Sequence, residues 1–404
     1  MTREQAAAWG AAGDHSPLMD NYGSPSRMFV RGEGSELYDA EGRRHLDFLC
    51  GLAVTALGHA HPAVAEAVAV QARTLVHTSN LFATEHQAPV AETIDRLIDA
   101  GSGQVLFQNS GAEANEAAIK LARQYQGRGR HVVVRARRSA HGRTMAALAA
   151  TGQPEKHEPF QPLPEGFRHV VWNDAAELER SLAPEVGGVL LEPVQGEGGV
   201  NPADEDYLRA VRRMCDERGI LLVLDEIQTG FGRTGAWFGF QHAGIRPDIV
   251  TMAKAIANGA PVGAVWARDE VAAAFGPGDH GSTYAGQPLA LAAARATLDT
   301  MQAMDAPAVV AATGERLRSM LAAIPGVAHV RGRGLLLAIE IEPDTLAGRT
   351  GPEIARACLD RGLIVNGITP TALRIAPPYT IADDHLAEGA AIIADVLGDR
   401  PEER

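Results

Sequence analysis

The sequence predicts an α/β fold: a mostly parallel sheet covered by helices on both faces, with a second, smaller α+β domain. Three observations carry that expectation. Between about residues 105 and 266, short, continuously apolar runs alternate with amphipathic stretches, the signature of strands buried on both faces. Beyond about residue 290 the texture changes to two long helices followed by a mixture of strands and helices. The chain, at 404 residues, is also longer than one ordinary domain.

In chain order, the first sixty residues read as short strands and turns, with Gly32, Gly34 and Gly42 breaking brief apolar pieces. A helical pattern opens at Pro62. Strand Val105-Leu-Phe precedes a helix over 112–125, and the next strand covers 131–135. Strands at 189–191 and 220–224 bracket a helix over 207–218, and strands at 249–251 and 262–266 follow. The second region begins with helices over 289–304 and 309–324. It continues with a strand over 335–341, a helix from Pro352, a strand over 372–376 and a last helix from Asp383. No repeat, low-complexity tract or linker interrupts this order.

The formal net charge of −13 excludes nucleic acid and anionic membranes as natural partners. No apolar run approaches the ~20 residues that span a bilayer, and the start, M-T-R-E-Q-A-A-A-W-G, lacks a secretory signature. Cys50, Cys215 and Cys358 are far apart and fit reduced thiols in a cytoplasm. His59 and His61 have poor zinc spacing, so no metal is expected.

The basic residues include only three lysines, Lys120, Lys156 and Lys254. Arginine can replace lysine on a solvated face but cannot serve as an amine nucleophile. Lys156 lies in a polar loop, Q-P-E-K-H-E-P, and reads as surface; Lys120 reads as a snorkelling helix lysine. Lys254 follows the apolar run Ile249-Val-Thr-Met-Ala. Desolvation there would lower its pKa from ~10.4 and make it a Schiff-base nucleophile.

Two further segments complete a chemical pattern. Asn109-Ser110-Gly111-Ala112-Glu113 follows a strand and opens a helix. Such a turn presents a hydroxyl and free N–H groups to a phosphate, although a plain N-cap with a capping-box glutamate uses the same residues. Asp225 ends the buried strand 220–224, where a carboxylate needs a cationic partner. That partner is either Arg233, in a structural ion pair, or a protonated heterocyclic nitrogen, with Gln228 then placed to donate to a phenolic oxygen on the same ring. Phosphate cup, acid and lysine, in that order, converge on pyridoxal 5′-phosphate.

On these residues the chain resembles the class III (ω-amino) pyridoxal-phosphate aminotransferases of fold type I, and within them most resembles the N-acetylornithine aminotransferases. The resemblance is carried by G-L-A-V-T-A-L-G-H-A-H-P (51–62), N-S-G-A-E-A-N-E (109–116), H-G-R-T (141–144), E-P-V-Q-G-E-G-G-V (192–200), D-E-I-Q-T-G-F-G-R-T-G (225–235), M-A-K-A (252–255), G-S-T-Y-A-G-Q-P (281–288) and R-G-R-G-L-L-L (331–337). It implies a seven-stranded sheet in a large domain over 61–290, with 1–60 and 291–404 forming the small domain.

It further implies that Lys254 forms the Schiff base and shuttles a proton, and that Asp225 keeps the pyridine nitrogen protonated. Gln228 would contact the ring hydroxyl, and Ile227, Ala140 and His141 would border the ring. Ser110, Gly111 and Ala112 would bind the phosphate, joined by Thr283 from the other subunit of a homodimer. Arg143 would bind the substrate carboxylate. Arg374 would receive the α-carboxylate of glutamate, screened by Glu197 when the ω-amino donor is present. The implied reaction is ping-pong transfer of an ω-amino group to 2-oxoglutarate. Residues 51–58 hold no tyrosine of the kind that clamps a free α-amino acid in ornithine aminotransferases, which favours N-acetylornithine as donor; the alternatives are N-succinylornithine, ornithine, 4-aminobutyrate or a diamine, or an aminomutase reaction on the same fold.

Three departures from the family pattern stand out. Ala140 replaces an aromatic residue that stacks on the cofactor ring, a loss of ~0.5–1.5 kcal/mol unless another ring fills the gap. Ala285 and Gln287 replace the usual glycine and asparagine, and the run after the lysine is reduced to Ala-Ile-Ala-Asn-Gly.

Overall fold

The computed structural model describes residues 18–23 and 25–399. The sequence reading of the first ten residues, and the outermost parts of the small domain at both termini, lie outside the described residues. Strands β1 (Phe29–Glu33), β2 (Glu36–Asp39) and β3 (Arg44–Asp47) form an antiparallel meander. Seven strands then build the large sheet: β4 (Gly103–Gln108), β5 (Val132–Ala136), β6 (Phe167–Val170), β7 (Val186–Leu191), and, after the two-residue ribbon β8 (Val194–Gln195) and β9 (Asn201–Pro202), β10 (Leu221–Asp225), β11 (Ile249–Met252) and β12 (Gly263–Arg268). Their order across the sheet is β4-β12-β11-β10-β7-β5-β6. Strands β5, β7, β10 and β11 are buried along their whole length, in keeping with their predominantly apolar residues.

Only β12 runs against its neighbours β11 and β4. Its apolar run, V-G-A-V-W, reads equally well in either direction. The deciding feature is the connection from β11, residues 253–262, which is shorter than the dozen or more residues of a parallel crossover.

The helix Gly111–Gln126 lies on this sheet through Ala114, Ala117, Ala118, Ile119, Leu121 and Ala122. Small side chains on that stripe let the helix approach closely and bring its N-terminus to the sheet's edge. Helix Glu205–Arg218 buries Tyr207, Leu208, Val211 and Cys215, one face at helical spacing, and stops at Gly219 in the left-handed conformation. The sequence reading missed helix Gln87–Ile98, which buries Val90, Ile94, Leu97 and Ile98, and missed strand β6.

Beyond the large sheet come helices Pro288–Ala303 and Ala306–Ala322, then strands β13 (Val327–Arg333), β14 (Leu336–Ile341), β15 (Leu363–Ile364), β16 (Asn366–Thr369) and β17 (Ala372–Ile375). Four of them make an antiparallel sheet in the order β13-β14-β17-β16, while β15 pairs in parallel with β3 and so joins the two ends of the chain. The last helix, Asp383–Gly398, covers the N-terminal sheet, with Gly389 against the ring of fully buried Phe48.

A methyl group at 389 would fall 2.2 Å from Phe48 Cζ. Overpacking of that kind costs ~1–3 kcal/mol, more than the ~1 kcal/mol that alanine gains over glycine in a helix. Gly389→Ala should therefore lower the denaturant midpoint, by the equivalent of about 1–2 kcal/mol. An unchanged midpoint would show that Phe48 can move aside.

Candidate active site

Four strands of the large sheet deliver residues from their carboxyl ends to one cavity of about 430 Å³. Asn109 to Ala112 follow β4, Ala140 to Arg143 follow β5, Ile227 follows β10, and Ala253 and Lys254 follow β11. Ligand sites of open α/β sheets collect on this edge. Leu52, Val54, Lys156 and Glu197 complete the walls relevant here.

Asp225 ends β10 and is 4% exposed. His141 Nδ1–H donates to its Oδ2 at 2.7 Å, Asn115 Nδ2 donates to the same oxygen at 2.8 Å, and the Ile227 N–H donates to Oδ1 at 3.1 Å. Thr251 on neighbouring β11 donates to Asn115 Oδ1 at 2.8 Å and so fixes which way that amide faces. Arg233 does not pair with Asp225. Its guanidinium donates to the carbonyls of Leu335 and Pro377 and lies over the Tyr379 ring, which rules out the structural ion pair as the reason for the acid.

Lys254 opens a 3₁₀ turn, Lys254–Ala257, with φ of 47°, a left-handed conformation that a side-chain-bearing residue adopts only under constraint. Burial lowers its pKa, opposed by the carboxylates of Asp225, Glu197 and Glu192. The direction is the one its apolar sequence context predicts. Glu192, at the end of β7, is pushed up first by burial and then by the charge of Asp225; it accepts from the backbone N–H of Ala140 at 3.1 Å.

At the opening of helix Gly111–Gln126, Ser110 is the N-cap and its hydroxyl accepts from the Glu113 N–H at 3.2 Å. Glu113 turns back to the N–H of Asn109 at 2.7 Å. Capping and anion binding coexist here. The Gly111 and Ala112 N–H groups, first in the helix, have no protein acceptor among the described residues. A Cβ at Gly111 would stand 2.8 Å from Ile227 Cδ1, so glycine keeps this cradle open.

Glu197 lines the cavity, and the buried Arg374 on β17 donates to its Oε1 at 2.5 Å and to Asn366 Oδ1 at 2.9 Å. Burial raises the Glu197 pKa, but the Arg374 charge and hydrogen bond outweigh it and hold the carboxyl below its usual range. Arg143 lines the cavity and has neither a hydrogen bond nor an ion pair among the described residues.

Gln228 is buried; its Nε2 donates weakly to Leu52 O at 3.4 Å, and its Oε1 has no partner. Thr283 is exposed and lies outside this cavity, though its neighbour Ser282 accepts from Asn109 Nδ2 at 2.8 Å. Ala140 lines the cavity. Among the described residues no Phe, Tyr or Trp joins it there; the one aromatic side chain lining the cavity beside it is the His141 imidazole.

Three site residues escaped sequence reasoning. Asn115 is a polar residue on an apolar helix face shared with Ala118 and Ala122, a detectable signal. Glu192 ends an apolar strand just as Asp225 does. Lys156, read as ordinary surface, lines the cavity, and its polar loop gave no hint of that.

The fold and this cavity define a cofactor-dependent transferase. The chain matches the family model "Aminotransferase class-III" over residues 19–397 and belongs to that family. It is 42% identical over 390 residues to the acetylornithine aminotransferase of Caldanaerobacter subterraneus, covering 95% of this chain and 97% of that one. It is 46% identical over 372 residues to the acetylornithine aminotransferase of Streptomyces coelicolor, covering 91% and 90%. Among solved structures, N-acetylornithine aminotransferase from Stenotrophomonas maltophilia superposes with a TM-score of 0.81 at 35% identity, covering 93% of this chain and 97% of that one.

The protein is a pyridoxal-phosphate-dependent aminotransferase, and its residues fit that cofactor. The buried, unpartnered His141 Nε2 and Gln228 Oε1 are polar atoms awaiting a ligand, and the open cradle at Gly111 lies beside free N–H groups.

Gly263, at the start of β12, lies beneath the cup; a Cβ there would come 2.2 Å from the Ser110 carbonyl oxygen. Gly263→Ala should displace Ser110 and weaken cofactor binding by about tenfold or more, given the ~1–3 kcal/mol cost of overpacking. Titration of cofactor-free protein with pyridoxal phosphate measures this. Wild-type affinity would show that the cup tolerates the shift.

Proposed function

We propose that this enzyme transfers the ω-amino group of N-acetylornithine to 2-oxoglutarate, giving N-acetylglutamate 5-semialdehyde and glutamate. One observation carries the reading: Lys254, an unpaired Arg143 and Glu197, whose carboxylate is bound to Arg374, line a single cavity. The names of the relatives support the donor, and Leu52 and Val54 line the wall where a tyrosine would clamp a free α-amino group.

Bound pyridoxal phosphate supplies a carbonyl carbon for amines and a ring that takes up an electron pair. Ser110, Gly111 and Ala112 would hold its phosphate, Asp225 its ring nitrogen, Gln228 its ring hydroxyl, and Ile227, Ala140 and His141 its ring. Lys254 Nζ is the covalent anchor. Once displaced by the donor, it takes the proton from the amine-bearing carbon, a task suited to a lysine whose pKa burial has lowered. Arg143 binds the donor's carboxylate through its planar fork. Glu197 occupies Arg374 during that half-reaction and releases it to 2-oxoglutarate in the next, so the kinetics are ping-pong.

We read the active unit as a homodimer in which Thr283 reaches the neighbouring subunit's phosphate. Exposed Leu81, Phe82 and Tyr284, at 86%, 63% and 64%, support a covered apolar surface beside the Thr283 loop. Residues 61–290 form the large domain in this reading, and 1–60 with 291–404 the small one. A reducing cytoplasm suits the three free, buried cysteines, and no described helix is long and apolar enough to cross a membrane.

An amino-donor panel with 2-oxoglutarate tests the reaction, with N-acetylornithine expected to give the highest kcat/KM; glutamate formation from none of the ω-amines would refute it. Lys254→Ala should abolish turnover and the cofactor's protein-linked visible absorption, and borohydride trapping should label Lys254 alone. Glu197→Gln should free Arg374 and lower the KM for glutamate by about fivefold, the loss of a partly exposed charge pair worth ~1 kcal/mol. An unchanged KM would exclude the screening role.

A further inference from the structure

A second cavity, of about 680 Å³, is bounded by the loop that follows β5, the turn that carries Glu197 and strand β16. Glu197 borders both cavities, but Lys254 and the phosphate cup line only the first. Arg137 and Arg138, directly after β5, and His169 on β6 line the second. Arg135, on β5, is the register partner of His169 on the adjacent parallel strand, so both side chains leave the sheet on one face.

These bases lack acids. Arg135 is 3% exposed, and its guanidinium makes one hydrogen bond, from Nη1 to the Thr151 carbonyl at 3.2 Å, with Nε buried and unpartnered. Arg138 donates once, from Nη2 to the Gly198 carbonyl at 2.8 Å. The Arg137 side chain has neither a hydrogen bond nor an ion pair among the described residues. His169 Nε2 is buried without a partner. Burial first, then the charges of Arg135, His157 and Arg137, push this imidazole down to about 4, so it stays neutral. The acids on the wall are Glu155, which is exposed, and Glu197, which is bound to Arg374. Three guanidinium groups thus stand against one uncommitted carboxylate. The cofactor's phosphate does not alter that count, because Ser110, Gly111 and Ala112 lie on the other cavity. A buried cation without an anion is costly, and guanidinium forks match the oxygens of phosphates and carboxylates. The volume falls in the ~300–1,000 Å³ range of small-molecule sites, more than a bare ion needs.

We propose that this second cavity binds a small, multiply charged anion of the phosphate-ester or polycarboxylate class, separately from the amino donor and 2-oxoglutarate. Arg137 and Arg138 hold its anionic groups, His169 Nε2 adds a neutral contact, and the buried Arg135 charge adds attraction from below. Arg138 also holds Gly198, the residue after Glu197, so the bound anion rests against the turn that carries the acid paired with Arg374.

Calorimetric titration of the holoenzyme with pyrophosphate and, separately, with citrate tests this, since bound cofactor keeps its own phosphate site filled. At least one of the two anions should bind saturably, and the tighter one shows whether phosphate or carboxylate is the group recognised. Arg137→Met should weaken that binding about tenfold, as the loss of one charge contact does, while Arg143→Met should leave it within about twofold. His169→Leu should also weaken it. Arg137 is exposed, so its variant should fold and keep the kcat/KM of transamination. Saturable binding of neither anion would overturn the proposal. So would wild-type affinity in both Arg137→Met and His169→Leu, or a loss confined to Arg143→Met, which would place the anion in the catalytic cavity. The outcome does not depend on which amine is the donor.

Discussion

The structure depends on holding a carboxylate in a dry place. Asp225 sits at the end of a strand buried on both faces, where desolvation costs an ion several kcal/mol. Its location follows from the sheet: moving the acid one residue along β10 would turn it to the opposite face. Charge-assisted hydrogen bonds, roughly twice as strong as neutral ones, offset part of that cost. His141, Asn115 and the Ile227 amide supply three of them. The network extends to Thr251 on β11, so two adjacent strands, a helix and the loop after β5 are all tied to one side chain. What remains uncompensated is a negative charge that favours a cationic ring nitrogen.

Two acids end neighbouring strands, and the site treats them differently. Glu192, directly after β7, has burial and the Asp225 charge pushing its pKa up, and backbone N–H groups and the Lys254 charge pulling it down. Asp225 takes the better donors, including the histidine. Lys254 faces both, in a left-handed backbone conformation of the kind that costs ~1–3 kcal/mol and persists only when the surroundings fix it. Here those surroundings are the end of β11 and the fully buried Ile256 that follows.

Much of this was legible in the sequence, for identifiable reasons. Strand Val186–Leu191 and the first four residues of Leu221–Asp225 are unbroken apolar runs, and helix Glu205–Arg218 keeps a 3.6-residue period. Strand β6, F-R-H-V, was missed because half of its residues are polar and it lies at the sheet's edge, where one side needs no partner strand. Lys254, Asp225 and the phosphate cup were visible because each combines a charged or glycine-rich break with a buried strand. Lys156 was not visible, since its burial comes from contacts with residues 139–151 that no local pattern encodes. Ala140 was read as the loss of a stacked ring; the cavity's walls add that, among the described residues, no Phe, Tyr or Trp takes its place.

The pair formed by Glu197 and Arg374 is unequal, and the inequality decides which partner can move. Arg374 is 1% exposed, rooted in the middle of a four-stranded sheet, and tied by its second guanidinium nitrogen to Asn366 on the neighbouring strand. Withdrawing it would break that bond and strand a buried cation, a change worth several kcal/mol. The Glu197 side chain is 38% exposed and sits in the turn between β8 and β9, flanked by Gly196 and by Gly198 and Gly199, the last at a φ of 117°. Water can replace its single partner, and its glycine neighbours permit backbone adjustment. Any alternation between two ligands at this wall is therefore a motion of the acid, with the guanidinium as the fixed point.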